Sequence, residues 1–403
     1  MHRRDLLKAA GALAPLVFAG RAFAAPAAGS SRLLLVFLRG AYDAANIVAP
    51  VGSDFYHQAR PSLALAKPNP ADPHAALPLD GDWGLHPALK DSIYPLWQAK
   101  QVAFVPFAGT DDMSRSHFET QDTIELGQPI GGSRNFRSGF MARLADALGQ
   151  DRPIAFSDRV PLCFQGSDHL PVPNIALAGN LSGGIDPHQA QLIQAMYQDG
   201  KIDKNLSQAV AQGFAVRSTV AKSLADEMVQ ANRGAVLPKG FELSARRIGH
   251  LMRDQYNLAF VDVGGWDTHV NQGGAQGYLA DRIGELGRGL AGFVQEIGPE
   301  AWRSTTVVVV SEFGRTFREN GDKGTDHGHG SVYWVMGGSV RGGRMVGPQV
   351  RVAAETLNQN RDLPVLTDYR GLVGGLVQRQ FALGGDRLNM VFPTAKPVGL
   401  DLI

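Results

Sequence analysis

The run Leu33-Leu34-Leu35-Val36-Phe37-Leu38 is unbroken in apolar residues, and Arg39-Gly40 follows it directly. A strand that is apolar at every position is covered on both of its faces, as in a parallel sheet between layers of helices. In such sheets, binding sites form beyond the carboxyl ends of the strands. The run therefore predicts a buried strand of an α/β protein with its site just after Leu38.

Similar apolar runs recur along the chain and alternate with helical patterns. The predicted strands after the first are Val102–Phe107, Pro153–Phe156, Ile175–Ala178, Leu258–Val263, Thr306–Val310 and Val332–Met336. The predicted helices are Ala88–Lys100, His117–Leu126, Gly139–Leu148, Gln189–Gln198, Asn205–Asn232, Glu242–Asp254 and Ala280–Ile297. This alternation predicts an α/β/α sandwich with a mainly parallel central sheet. No linker divides residues 25–403, so we expect a single domain with a helical insertion at about 186–240.

Composition excludes several classes of protein. The chain has 39 basic and 38 acidic residues, a net charge of +1, which argues against a nucleic-acid-binding protein held by a basic surface. Its 44% hydrophobic content is enough for a sizeable core, so general disorder is excluded. Cys163 is the only cysteine, which excludes an intramolecular disulfide and a cysteine-cluster metal site.

Residues 1–24 read as an export signal. Arg3 and Arg4 precede an apolar stretch of about 12 residues, too short to span a bilayer, and an Ala-x-Ala cleavage pattern ends at Ala24. The arginine pair resembles a twin-arginine signal, and an ordinary secretory signal is the alternative. We expect the twin-arginine export machinery as a partner, a periplasmic or secreted location, and no transmembrane segment in the mature chain.

Aspartate and histidine gather at the predicted strand ends. Asp267 and His269 follow one strand, Glu312 follows another, and Asp326, His327 and His329 precede a third. Imidazole and carboxylate together bind divalent metals without any thiolate, so we predict one or two ions. Zinc is favoured over manganese, calcium or iron. The alternative for each motif is a capped turn in which a histidine bonds to its own carboxylate.

Ser116 begins a capping box, with Glu119 three residues further on. Serine is common at this position for helix stability alone. A helix N-terminus also stabilises negative charge, so Ser116 is a candidate nucleophile as well as a cap. Arg39, Arg115 and Arg315 are candidate clamps for a phosphate or sulfate, although solvated arginine is the common alternative in such loops.

Taken together, these motifs resemble the DUF1501 family of bacterial proteins, from Arg3 to about Gly347. The matching segments are Leu38-Arg39-Gly40 with Asp43 and Asn46, Ser116-His117-Phe118, Gly265-Trp266-Asp267-Thr268-His269, Val310-Ser311-Glu312-Phe313-Gly314-Arg315-Thr316 and Gly324-Thr325-Asp326-His327-Gly328-His329-Gly330. The resemblance implies a relation to alkaline phosphatases and sulfatases. It assigns Asp43 and Glu312 to one metal, Ser116 as nucleophile, and Asp267, His269 and His329 to the other metal, with His327 as the competitor of His329.

Two departures qualify this resemblance. Phe313 stands where the superfamily has a histidine, which places a second metal in doubt unless His327 or His117 supplies the imidazole. The proline and arginine that accompany a sulfatase's modified residue are missing near Cys163 and Ser116.

The expected function is an exported metal-dependent hydrolase of a phosphate or sulfate ester, either a small molecule or a polymer. The alternative is a non-catalytic or differently catalytic binding protein on the same scaffold. A serine hydrolase is disfavoured because no G-x-S-x-G elbow surrounds Ser116.

Overall fold

A computed structural model describes residues 31–149, 152–157, 160–167 and 240–403. The strands are β1 Arg32–Leu38, β2 Val48–Ala49, β3 Leu77–Pro78, β4 Gly84–Leu85, β5 Val102–Gly109, β6 Pro153–Phe156, β7 Leu258–Val263, β8 Thr305–Ser311, β9 Ser331–Gly337, β10 Arg344–Met345 and β11 Thr367–Asp368. The α-helices are α1 Asp54–Ala59, α2 Tyr94–Gln98, α3 His117–Leu126, α4 Phe140–Leu148, α5 Phe241–Asp254, α6 Tyr278–Arg303, α7 Tyr369–Gln380 and α8 Gly385–Val391.

The main sheet runs in the order β10-β5-β9-β8-β1-β7-β6, and β11 also pairs with β5. β1 is parallel to both β7 and β8, and β6 is parallel to β7. β9 is antiparallel to its neighbours β5 and β8. The start of β9 therefore lies at the same edge as the ends of β1, β5, β7 and β8. A small antiparallel sheet, β2-β4-β3, accompanies the main one.

Alternate residues of β1 enter two different cores, as the period of a strand requires. Leu34, Val36 and Leu38 pack in one core with side chains from α5 and α6. Leu33, Leu35 and Phe37 pack in the other core with side chains from α4, α7 and α8. The sheet is thus covered by helices on both faces, which confirms the predicted α/β/α sandwich with a mainly parallel sheet.

The main disagreement with the sequence prediction lies before β5. The expected helix Ala88–Lys100 is a 3₁₀ turn at Pro87–Leu89 followed by the short helix α2. Pro95 lacks a backbone N–H and is tolerated only in the first turn of a helix, so it starts a new helix instead of continuing the old one. The helices α7 and α8 were not predicted.

Some predictions fall outside the described residues. These are the signal segment 1–24, the strand Ile175–Ala178, the helices Gln189–Gln198 and Asn205–Asn232, and nearly all of the insertion at about 186–240. Among the helices that are described, none is long and apolar enough to cross a membrane.

Candidate metal centre

The loop after β7 carries Asp267 to the carboxyl edge of the sheet. Trp266 anchors this loop, because its indole is buried and donates a hydrogen bond from Nε1 to the carbonyl of Val263 at 2.9 Å. Gly40, just after β1, has φ 115°, and a Cβ there would lie 2.7 Å from the backbone nitrogen of Asp267. Only glycine accommodates both this backbone conformation and this approach.

Three side chains from three elements converge at this edge. His117 opens α3, Asp267 follows β7, and His327 precedes β9, and each offers a ligand atom within 4.8 Å of the other two. The Nε2 atoms of the two histidines are 2.9 Å apart. Asp267 Oδ2 lies 3.6 Å from His117 Nε2, and Asp267 Oδ1 lies 3.4 Å from His327 Nε2. We call these three residues the ligand group.

His269 adjoins the ligand group. Its Nε2 lies 2.8 Å from Asp267 Oδ1 and 3.2 Å from His327 Nε2. Arg315 reaches Asp267 from within the protein, since its fully buried side chain donates from Nη1 to Oδ1 at 2.5 Å. Burial works to raise the pKa of Asp267, but the hydrogen bond and the charge of Arg315 outweigh it and hold that pKa below its usual range.

The other ring nitrogen of each histidine faces an oxygen that accepts hydrogen bonds. His117 Nδ1 lies 2.8 Å from Glu312 Oε1, His269 Nδ1 lies 3.1 Å from Asp326 Oδ1, and His327 Nδ1 lies 3.0 Å from the carbonyl of Arg115. A carbonyl or an ionised carboxylate can only accept, so each Nδ1 carries a proton. In the neutral rings, the Nε2 atoms are then bare acceptors that face one another and Asp267.

These features fit a divalent metal such as zinc. A tetrahedral zinc with ligands at about 2.0–2.1 Å holds its ligand atoms about 3.3 Å apart, and the three separations of 2.9, 3.4 and 3.6 Å bracket that value. Acceptors that face one another repel unless a cation lies between them. Histidine ligands also characteristically donate their second N–H to a carboxylate or carbonyl, as these do. Three protein ligands leave a position open for water or substrate.

Glu312 is the buried support of His117. Its Oε1 accepts from His117 Nδ1 and Gln121 Nε2, each at 2.8 Å, and from the backbone N–H of Gly40 at 2.9 Å. Burial disfavours the charged form of Glu312, but the hydrogen bonds from His117 and Gln121 prevail and lower its pKa. Phe313 stacks on the His117 ring, with centroids 5.0 Å apart.

The family model described as "Protein of unknown function (DUF1501)" matches residues 30–392 of the chain. The chain belongs to the DUF1501 family. No curated protein sequence matches it.

Solved structures resemble the DUF1501 chain only distantly. Ps i-CgsB in complex with k-i-k-neocarrahexaose is 10% identical, with a TM-score of 0.34 over 89% of this chain and 73% of that one. Ps i-CgsB alone is 11% identical, with a TM-score of 0.35 over 91% and 74%. A mutant of TAB5 alkaline phosphatase, with Mg bound in its M3 site, is 12% identical, with a TM-score of 0.31 over 76% and 90%.

Asp43 and His329, two of the predicted ligands of the DUF1501 chain, have other neighbours and lie outside the ligand group. Asp43 is fully buried, and both of its oxygens are bonded to Arg60, at 2.5 and 3.0 Å, and one also to Gln272 at 2.6 Å. The chain bends at His329, whose buried side chain has Asp362 and Arg115 as its main charged neighbours. The structure therefore corrects the expectation for Asp43, and it brings His327, not His329, to Asp267.

Glu312 and Asp326 are not in the ligand group. Each accepts a hydrogen bond from the Nδ1 of a histidine, Glu312 from His117 and Asp326 from His269.

The three arginines predicted as anion clamps form ion pairs with carboxylates. Arg39 donates to Glu125 and Asp262, Arg115 to Asp362, and Arg315 to Asp267. Each of these guanidinium groups is paired with a carboxylate, so the anion-clamp role expected for them stays a prediction.

The two sequence neighbours of Ser116, Arg115 and His117, both take part in the site. The carbonyl of Arg115 accepts from His327, and the ring of His117 belongs to the ligand group. The Oγ of Ser116 accepts a hydrogen bond from the backbone N–H of Glu119 at 3.5 Å, so the predicted helix cap is present. His117 itself was left open as a ligand by the sequence. The missing histidine at Phe313 was the signal that pointed to it, and its position in the first turn of a helix after a strand end agrees with that signal.

Proposed function

We propose that this protein is a metal-dependent hydrolase of a phosphate or sulfate ester. One observation carries the proposal: three histidines, each held at Nδ1 by an oxygen, turn their Nε2 atoms toward one another and toward Asp267. His117, Asp267 and His327 would hold the ion, with His269 adjoining. A bound divalent metal would supply a Lewis acid that polarises the ester.

Ser116 is the proposed nucleophile. Its place at the N-terminus of the ten-residue helix α3 favours an anionic group next to it, because the first N–H groups of a helix are unpaired and its dipole is positive there. Ser116 Oγ would bond to phosphorus or sulfur while the ester bond breaks, and the serine proton would leave with the alcohol. Water would then cleave the seryl ester and restore the serine.

The substrate is proposed only as a class, a small-molecule or polymer ester. Phe118, next to His117, is 85% exposed and offers an apolar surface for the esterified group. Within the described residues, the ligand group and the adjoining His269 form a single cluster around Asp267. That observation supports a single ion, as does Phe313, which stands where the family resemblance implies a second imidazole.

The metal content of two alanine variants tests the proposal. The histidines at 327 and 329 are two residues apart, so they form a matched pair. We expect near-stoichiometric metal in the wild type and in His329→Ala, and none in His327→Ala, by mass spectrometry. p-Nitrophenyl phosphate and p-nitrophenyl sulfate then report hydrolysis. A wild type that binds no metal, or a His327→Ala variant that keeps it, contradicts the metal site.

The alternative is a binding protein, or an enzyme of other chemistry, on the same scaffold. It is favoured by the contact of Phe313 with both His117 and His327, at ring centroid separations of 5.0 and 5.3 Å, because an apolar ring there restricts access to the ligand group. Stoichiometric metal without hydrolysis of either ester would support this alternative.

Export by the twin-arginine route remains a proposal based on residues 1–24. Replacing Arg3 and Arg4 with lysine keeps the charge and removes the arginine pair. We expect the doubly substituted protein to stay in the cytoplasm, while an unchanged periplasmic level would indicate the ordinary secretory route.

A further inference from the structure

One face of α3 carries a stripe of polar side chains at a spacing of four residues. His117, Gln121 and Glu125 occupy successive turns of the helix, so they lie above one another on the same face. This stripe meets Glu312 after β8 and Arg39 after β1, and Arg39 in turn contacts Asp262 in β7. Only the first member of the stripe belongs to the ligand group.

Continuous hydrogen bonds join these residues. Arg39 Nη1 donates to Gln121 Oε1 at 2.8 Å, and Gln121 Nε2 donates to Glu312 Oε1 at 2.8 Å. The same Glu312 oxygen faces His117 Nδ1 at 2.8 Å. Arg39 is itself fixed by Glu125 through Nη2 and by Asp262 through Nε, again at 2.8 Å each.

The chemistry of the two ends sets the orientation of the Gln121 amide. A guanidinium only donates, so the amide oxygen must face Arg39, and an ionised carboxylate only accepts, so the amide N–H must face Glu312. Gln121 is therefore a neutral donor to Glu312 that cannot turn over. A flipped amide would place two donors against each other at one end and two acceptors at the other.

The orientation of Gln121 affects which nitrogen of the His117 ring carries the proton. Glu312 Oε1 receives hydrogen bonds from His117, Gln121 and Gly40, and its Oε2 receives one from Ser311 Oγ at 2.8 Å. These donors hold the carboxylate in one place and in its accepting form. His117 must then keep its proton on Nδ1, which leaves Nε2 free to bind a cation.

We propose that Gln121, oriented by Arg39, is a positioning residue for the metal centre. It acts through Glu312 on the orientation and tautomer of His117. The inference rests on the metal site proposed above, and it assigns to Gln121 a role in metal affinity although it contacts no ligand atom of the ion. Outer partners of this kind characteristically change metal affinity by about 10- to 100-fold when they are replaced.

Two substitutions test this role. Gln121→Met keeps the length of the side chain and removes both hydrogen bonds. Gln121→Glu keeps the acceptor for Arg39 but sets a second carboxylate against Glu312. Glu119→Gln is the matched control, since Glu119 lies on the same helix with an exposed side chain. Circular dichroism of the metal-free proteins verifies that each variant folds.

The readouts are the Zn²⁺ dissociation constant, by competition with a chelating dye, and the visible absorption spectrum of the Co²⁺-loaded protein. We expect both Gln121 variants to bind Zn²⁺ about 10- to 100-fold more weakly and to show an altered Co²⁺ spectrum, with Glu119→Gln unchanged. If Gln121 acts through Glu312, the double variant Gln121→Met/Glu312→Gln binds Zn²⁺ no more weakly than Glu312→Gln alone.

The outcomes separate the two proposals. A wild type that binds neither ion contradicts the metal site itself. A wild type that binds Zn²⁺, together with folded Gln121 variants of equal affinity and identical Co²⁺ spectrum, overturns the role of Gln121 and leaves the metal site standing. If the losses of Zn²⁺ affinity in the two single variants add fully in the double variant, Gln121 does not act through Glu312.

Discussion

The buried ion pair between Asp43 and Arg60 gives a sharp test, because the sequence assigned Asp43 to a metal and the structure assigns it to the core. Both side chains are essentially inaccessible to solvent, at 1% and 0% exposure. Arg60 donates to both oxygens of Asp43 and also to the carbonyls of Phe317 at 2.7 Å and Thr316 at 3.0 Å. Replacing Arg60 with methionine removes all four hydrogen bonds and leaves a buried carboxylate with Gln272 as its remaining partner.

Removing one member of a buried ion pair costs about 3–5 kcal/mol, because the other charge stays desolvated. At about 2 °C per kcal/mol for a chain of this size, Arg60→Met should lower the melting temperature by about 6–10 °C. Asp43→Leu/Arg60→Met removes both charges and should recover a large part of the loss. Melting curves of the three proteins give the stability, and mass spectrometry of the folded proteins gives the metal content.

A structural Asp43 also requires that Asp43→Asn retain its metal. The reasoning is refuted if Arg60→Met melts like the wild type, or if Asp43→Asn loses its metal at unchanged stability. The second result would restore Asp43 as a metal ligand.

Three further predictions concern pH, backbone and catalysis. Burial lowers the pKa of His86 from 6.5 to about 4, so stability present in full above pH 6.5 should be lost as pH falls toward 4. The loss should reach about 3 kcal/mol at pH 4 in urea titrations and should shrink in His86→Gln, while an equal loss in both proteins would exclude His86 as its source. Gly40→Ala should clash with the loop of Asp267 and weaken Zn²⁺ binding, and unchanged affinity would show that the loop tolerates the contact. Ser116→Ala should abolish ester hydrolysis, keep its metal and lose about 1 kcal/mol of stability with the helix cap, whereas retained turnover would leave Ser116 as a cap only.

Much of the candidate site was accessible from residue types and their positions. Asp267 and His327 were predicted because polar residues among glycines follow or precede apolar strands, and parallel topology gathers those ends at one edge. The sequence did not show which of His327 and His329 lies beside Asp267. It depends on a bend at His329, which local sequence does not specify.

Residue patterns alone were enough to predict the layers of this protein, because apolar runs of strand length that alternate with helical patterns have few ways to be buried other than an α/β/α sandwich. The same patterns predicted the sheet edge at which the candidate site lies. Which carboxylate faces the imidazoles depends on long-range packing, which local residue patterns do not specify. Asp43 and Asp267 look alike in sequence, and each meets an arginine, but Asp43 is enclosed with Arg60 in the core while Asp267 is exposed at the edge, where it also faces three imidazoles. A carboxylate's role depends on its exposure and on all the groups that face it, and here the fold brings those groups together from distant parts of the chain.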